Sequence, residues 1–241
     1  MENVKHRRKK KIVKFLEINE LEQLERPLIT KAQNALEIGK YNMAHKDKIA
    51  LRDFALLSLL YGCALRISEA VNLKLHNLQL DEGIVMIIDS KGDDRIVDIP
   101  QPVIDILKEW LEIRPNIVGN NYVFTRVKGS TKSGEFAEEK AIPLRRQYYN
   151  KLITNLAKIT GVTLKGGQEE QLPHPHTFRH SRAMAIRDDN VELDILQQIL
   201  GHKDLRTTQV YAHARREEIR KAQTNNTKGI IGLKKGGNLN E

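Results

Sequence analysis

A phenol, two imidazoles and a guanidinium crowd one stretch of this chain. From Leu172 it reads Leu-Pro-His-Pro-His-Thr-Phe-Arg-His. An amphipathic segment follows, then Leu-Gly-His-Lys-Asp-Leu-Arg-Thr-Thr-Gln-Val-Tyr-Ala-His from Leu200. His176, Arg179, His202 and Tyr211 are the groups that could do chemistry. In a basic protein they point to a phosphate: the phenol can attack, the imidazoles can move protons, and the guanidinium can hold two phosphate oxygens at once.

The rest of the composition is compatible with that target. The chain has 241 residues and a formal net charge of +9, which calls for a polyanionic partner. Nucleic acid fits better than a membrane surface, because no long basic amphipathic helix dominates the charge. Aromatic residues make up only 5%, too few for base stacking on a single-strand platform to be the main binding mode. The single cysteine, Cys63, excludes an internal disulfide framework and fits a reducing cytoplasm. No apolar run is long enough to span a bilayer, and the basic N-terminus leads into no signal-type apolar region.

Several elements must position those groups. Residues 1–14 are a basic run, readable either as a solubilising arm or as a phosphate-contacting arm through Lys9, Lys10 and Lys11. Asn19 with Glu22 resembles a capping box opening a helix that carries Leu21, Leu24 and Leu28, with Pro27 bending or ending it. Residues 39–48 read as a polar loop, and Ile49 to Tyr61 as a buried helix. A helix capped at or near Ser68 is expected next, turning Ala70, Val71 and Leu73 inward, with Arg66 and Glu69 close to its start.

Ile84 to Ile88 and Arg95 to Ile99 read as a β-hairpin with Lys91 at its tip, and Pro102 opens a helix packing Val103, Ile106, Leu107, Trp110 and Leu111. Tyr122 to Phe124 reads as a short strand, 126–141 and 165–171 as loops, and Arg145 to Thr160 as a helix closed by Gly161. Further helices are expected from Thr177 to Asp188, from Val191 to Leu200 ending at Gly201, and from an Asp204 cap through Tyr211. The fold class expected is α+β, mainly α-helical with a small antiparallel hairpin or sheet at one edge.

Taken in order, Ala64-Leu-Arg-Ile-Ser-Glu69, Lys91, His176-Thr-Phe-Arg-His180, Leu200-Gly-His202 and Thr207-Thr-Gln-Val-Tyr-Ala-His213 resemble the tyrosine recombinase (phage integrase) family, over about Phe15 to Arg220. Each element alone is common; together in this order they are specific. Ala64 stands where the family commonly has glycine, a departure that is harmless if the backbone there is not left-handed.

The resemblance implies the catalytic-domain fold of that family and a site-specific recombinase acting on double-stranded DNA. Tyr211 would attack a phosphodiester to give a 3′-phosphotyrosine, so that rejoining needs no ATP. Arg66 and Arg179 would clamp the non-bridging oxygens, with no metal or other cofactor required. Lys91 would protonate the leaving 5′-oxygen, a step contributing roughly 10²–10⁴ in rate. His176 would take and return the tyrosine proton, His202 would hydrogen-bond a phosphate oxygen, and Glu69 would orient Arg66 or His176. Arg206 joins the N-terminal lysines as a DNA-binding candidate. The resemblance also implies a monomer when free and a homo-tetramer on DNA, acting in the cytoplasm at the nucleoid.

Plainer readings stand beside these. An isolated Arg-x-x-Glu is commonly a surface ion pair, and a lone tyrosine a half-buried helix residue. His174, His176 and His180 match no common zinc spacing. A supercoil-relaxing enzyme with the same chemistry, and a DNA-binding regulator without catalysis, remain as alternatives. The expected organisation is a basic arm over 1–14, a catalytic domain over 15–222 and a tail over 223–241, whose Ile230, Ile231 and Leu233 would dock on a neighbouring protomer. Family members usually carry a further N-terminal helical domain, so the chain is expected to be either an isolated catalytic domain or a short member.

Overall fold

The computed structural model describes residues 14–40, 42–88, 94–116, 119, 121–127, 144–164, 171–188, 191–192, 195–196, 199–200 and 219–224. At its centre is α2 (His45–Gly62), where Leu51, Phe54, Leu56, Leu57, Leu59 and Leu60 are all fully buried. A helix apolar on every side must be surrounded. It is packed by α1 (Ile18–Ile38), α4 (Gln101–Ile113) and α6 (Pro175–Arg187), while α5 (Arg146–Thr160) leans on α1 and α6. A short α3 (Ile67–Val71) follows α2, then a 3-10 turn over Leu75–Asn77.

The sheet is small and antiparallel, in the order β1 (Leu78–Gln79), β2 (Ile84–Ile87), β3 (Arg95–Asp98). Val85 pairs with Val97, and both side chains are buried; Met86 pairs with Ile96 on the face turned toward solvent. Trp110 of α4 is fully buried and its Nε1 donates to the Val123 carbonyl at 3.0 Å. The fold is therefore mainly α-helical with one small antiparallel sheet. Among the described residues no helix is long and apolar enough to cross a membrane.

A buried ion pair ties α2 to α5 and to the 122–125 segment. Arg52 donates to Asp53 Oδ1 through Nε (2.9 Å) and Nη2 (2.7 Å), and through Nη1 to the Thr125 carbonyl (3.2 Å). The Tyr148 hydroxyl donates to Asp53 Oδ2 at 2.5 Å, and the Arg52 guanidinium lies over the Tyr148 ring. Both charges are compensated in place, which is what makes burying them tolerable.

Several expectations need correction. The start of α1 is capped by Glu17 and Glu20, not Asn19 and Glu22: the Glu17 N–H donates to Glu20 Oε2 at 2.9 Å. Pro27 does not end the helix, because Leu24, Leu28, Ile29, Ala32 and Ala35 are buried on either side of it and tertiary packing outweighs the one lost hydrogen bond. The central helix begins at His45, inside the stretch read as loop, and α6 begins at Pro175 rather than Thr177. β1 was not foreseen, and Tyr122 makes an isolated bridge to Lys74 rather than a strand. The helix through Tyr211, residues 128–143 and 165–170, and the tail beyond Thr224 lie outside the described residues.

Candidate active site

The turn between α2 and α3 aims Arg66. After Gly62 the chain closes α2 with a paired motif: Ala64 N–H donates to the Tyr61 carbonyl (3.1 Å) and Leu65 N–H to the Leu60 carbonyl (3.2 Å). This is the helix ending that requires a left-handed residue after the cap. Ala64 supplies it at φ +49°. The condition under which the alanine would be harmless is thus not met, and the residue carries backbone strain. Burial of its methyl group gives the reason it is tolerated: Ala64 is fully buried in one cluster with Ile186, Ile195, Leu196, Ile199 and Leu200.

Arg66 is the N-cap residue of α3, in extended conformation. Its backbone N–H donates to Glu69 Oε2 and its Nη1 to Glu69 Oε1, both at 2.8 Å. Ser68 is not the cap. The Arg66 side chain is still 37% exposed, so its outer N–H groups face solvent. They open on a cleft of about 420 Å³ bounded by α3, the 3-10 turn and β2, where Lys74 and His76 add two more basic groups.

Arg179 arrives from α6 and is buried, at 6% exposure. Its Nη1 donates to the Ala64 carbonyl at 2.6 Å and its Nη2 to the Leu200 carbonyl. Burial first, then the charges of Arg66 and Arg95 against the opposing pull of Glu69, bring its pKa down to about 10. It stays cationic at neutral pH, but in a place where positive charge is crowded. An anion brought between Arg66 and Arg179 would relieve that crowding, the property expected of a site that stabilises negative charge as it develops.

Sequence reasoning missed Arg95. Its Nη1 and Nη2 donate to Glu69 Oε1 (2.9 Å) and Oε2 (2.8 Å), side by side. Burial pulls the Glu69 carboxyl upward, but the hydrogen bonds from Arg95 and from the backbone and side chain of Arg66, with the Arg95 charge, outweigh it and hold the group below its ordinary value. A signal was present: Arg95 shares the inward face of β3 with buried Val97, and a charge on a buried face needs a partner.

His176 sits in the first turn of α6 and is exposed, three residues before Arg179 and so on the same side of the helix. Its ring lies edge-on to His174, centroids 6.2 Å apart. The His174 pKa is lowered by burial and then by the His176 charge. Among the described residues no three His, Cys, Asp or Glu side chains gather as a metal would need. The structure therefore brings Arg66, Glu69, Arg95 and Arg179 together, with His176 along the same helix. Lys91, His202, Tyr211, Arg206, Lys9, Lys10 and Lys11 lie outside the described residues.

A helical body with an edge hairpin and two guanidiniums converging on one interhelical turn defines a class, and comparison with known proteins agrees. The family model described as the phage integrase family matches residues 30–218, and the chain belongs to that family. Among curated relatives, the tyrosine recombinase XerD of Staphylococcus saprophyticus is 32% identical over an alignment covering 88% of this chain and 62% of that protein. The tyrosine recombinase XerC of Alcanivorax borkumensis is 29% identical, over 77% of this chain and 54% of the relative. Among solved structures, the XerH site-specific recombinase bound to its difH substrate, in a pre-cleavage complex, matches with TM-score 0.58 and 25% identity over 86% of this chain and 52% of that one. The chain thus spans between half and two thirds of the length of these relatives.

Proposed function

We propose that this chain is a site-specific recombinase of double-stranded DNA, working through a 3′-phosphotyrosine on Tyr211. The observation that carries the reading is the approach of the Arg66 and Arg179 charges beside the α2–α3 turn, with the Glu69 carboxylate bonded to Arg66 and Arg95 and the Arg179 guanidinium bonded to the Ala64 carbonyl. Family membership and the names of the relatives support it.

In the forward step the Tyr211 oxygen bonds to phosphorus and the bond to the 5′-oxygen breaks. His176 receives the phenol proton, Lys91 gives one to the departing oxygen, and His202 joins the arginines on the non-bridging oxygens. Rejoining runs the same transfers backward. Glu69 holds Arg66 through one guanidinium N–H and the backbone N–H. Residues 15–222 form the catalytic unit, Lys9, Lys10, Lys11 and Arg206 contact phosphates, and four copies assemble on DNA from free monomers.

A duplex nicked beside the cleavage point tests this, because the short cut strand diffuses away and traps the covalent adduct. With the recombination site supplied in EDTA, the wild-type chain gives a denaturant-resistant protein–DNA adduct and Tyr211→Phe gives none. An adduct retained by Tyr211→Phe, or one that needs a divalent ion, overturns the mechanism. Strand exchange between two site-bearing duplexes, without relaxation of a plasmid lacking the site, separates recombination from supercoil relaxation.

A further inference from the structure

Arg95 joins two parts of the molecule that the proposed chemistry needs at a fixed separation. It is the first residue of β3, paired across the sheet with Ile87, and so stands at the root of the hairpin whose connecting loop contains Lys91. Its side chain does not reach into the sheet but crosses to α3. There it meets Glu69 in a two-pronged pair, and Glu69 also holds Arg66 through both backbone and side chain. Each Glu69 oxygen accepts two N–H groups, so the carboxylate has no spare capacity to rearrange. The two side chains are only 14% and 8% exposed, which sets this pair apart from a solvated surface bridge of little consequence.

Resting on the recombinase reading above, we propose that Arg95 is a positioning residue for DNA cleavage. Its fork on Glu69 fastens the root of the β2–β3 hairpin to the helix that Arg66 caps. The strands that flank the loop containing Lys91, the proposed proton donor, are thereby held in one geometry with the phosphate clamp on α3. Glu69 is the shared pivot, so losing Arg95 loosens the hairpin while Arg66 keeps its own bonds to Glu69. The defect should then fall on protonation of the 5′-oxygen more than on the clamp.

A substrate with sulfur in place of the bridging 5′-oxygen reads this selectively. When the P–S bond breaks the thiolate departs without needing a proton, so defects in leaving-group protonation vanish and defects in the clamp persist. The variants are Arg95→Lys, which keeps the charge but not the fork, and Arg95→Gln, each in single-turnover adduct formation on the oxygen and sulfur substrates, with urea melts to compare folding. Wild type, Lys91→Ala and Arg66→Ala run alongside.

On the oxygen substrate Arg95→Lys should cleave more slowly by about tenfold and Arg95→Gln by up to about a hundredfold, as for a misplacement of the order of an ångström. On the sulfur substrate most of that loss should disappear, as it should for Lys91→Ala and not for Arg66→Ala. Unchanged cleavage by Arg95→Lys and Arg95→Gln, beside an active wild type, overturns the proposal alone. Equal losses on both substrates also overturn it, by putting Arg95 in the clamp. If Arg95→Gln fails to fold, Arg95→Lys carries the test. A wild type that gives no adduct on either substrate instead removes the recombinase reading itself.

Discussion

The main body of the chain gathers buried apolar side chains of all six described helices and the sheet into one large core, whereas the segment after α6 rests on a cluster of six buried residues: Ala64, Ile186, Ile195, Leu196, Ile199 and Leu200. Ile219 and Ala222, from the helical stretch over 219–224, pack on its margin. Two guanidiniums on α6 reinforce this smaller attachment. Arg179 donates to the Leu200 carbonyl, and Arg182, one turn on, donates to the Gln223 carbonyl at 2.9 Å. These bonds fall at the two ends of the segment that carries His202 and Tyr211. Arg66, the proposed clamp residue, is thus built on the large core, while the segment that contains Tyr211, the proposed attacking group, is fastened at Leu200 and Gln223. Local opening costs least where few apolar contacts must be broken.

The sharpest way to test that contrast is to remove each arginine of the proposed clamp in turn. Arg66→Ala and Arg179→Ala should both lower single-turnover cleavage by about 10²–10³-fold or more, the range for losing one charge-stabilising donor at a reacting centre. They should differ in stability. Arg66 is 37% exposed and its side chain, among the described residues, bonds to its neighbour Glu69, so its loss should leave the urea midpoint nearly unchanged. Arg179→Ala strands the Ala64 and Leu200 carbonyls and should destabilise the fold by about 1–3 kcal/mol. Equal midpoints for the two variants would show that Arg179 does not fasten the segment.

Core truncation gives the next largest effect. Leu57→Ala, at the centre of α2, should cost about 2–5 kcal/mol of global stability in urea. Leu196→Ala should cost less globally, yet speed amide hydrogen exchange at Leu196, at Leu200 and over 219–224 while leaving α2 protected. Uniformly faster exchange in Leu196→Ala would mean that the two regions unfold together.

The large core carries a cost of its own. Glu25 of α1 is buried, and among the described residues its Oε1 has no hydrogen-bond partner. Burial, with a smaller push from the Glu22 charge, raises its pKa from 4.5 to about 8. Below pH 4.5 both the native and unfolded states hold the proton. From there to pH 8 the native state keeps it and the unfolded state releases it, so stability falls as pH rises and levels off above the native pKa. The loss should amount to a few kcal/mol, since every tenfold difference in proton affinity between the two states is worth about 1.4 kcal/mol. Urea melts from pH 5 to pH 8.5 check it: Glu25→Gln should flatten the profile, and a wild-type profile already flat over that span removes the buried-acid account.

Local chemistry made much of this legible in the sequence. The run from Ile49 to Tyr61 read as a buried helix, two β-rich runs with a turn between them marked the hairpin, and Arg66 with Glu69 at a three-residue spacing met as a pair. What escaped depends on where distant segments land. Nothing near Arg95 in the chain names Glu69 as its partner, and nothing near Arg179 announces that two backbone carbonyls will occupy its fork. The start of α1 escaped for a different reason. Glu17, Asn19 and Glu20 all offer cap oxygens, and only the extended backbone at Glu17 decides among them.

Ala64 joins the two regions and gives the smallest and most discriminating change. A left-handed alanine costs roughly 1–2 kcal/mol that glycine would not. Glycine in turn forfeits a buried methyl worth about 0.8 kcal/mol and adds unfolded-state entropy worth about 0.4–1 kcal/mol. These contributions nearly cancel, so Ala64→Gly should shift global stability by less than about 1 kcal/mol in urea. The cancellation does not extend to the segment after α6, because the lost methyl comes from its small cluster while the relieved strain belongs to the α2–α3 turn. Hydrogen exchange should therefore quicken at Leu196 and Leu200 and stay the same or slow at Leu60 and Tyr61. Exchange that slows in both places would mean that backbone strain alone governs position 64, and that the methyl contributes nothing to holding the segment.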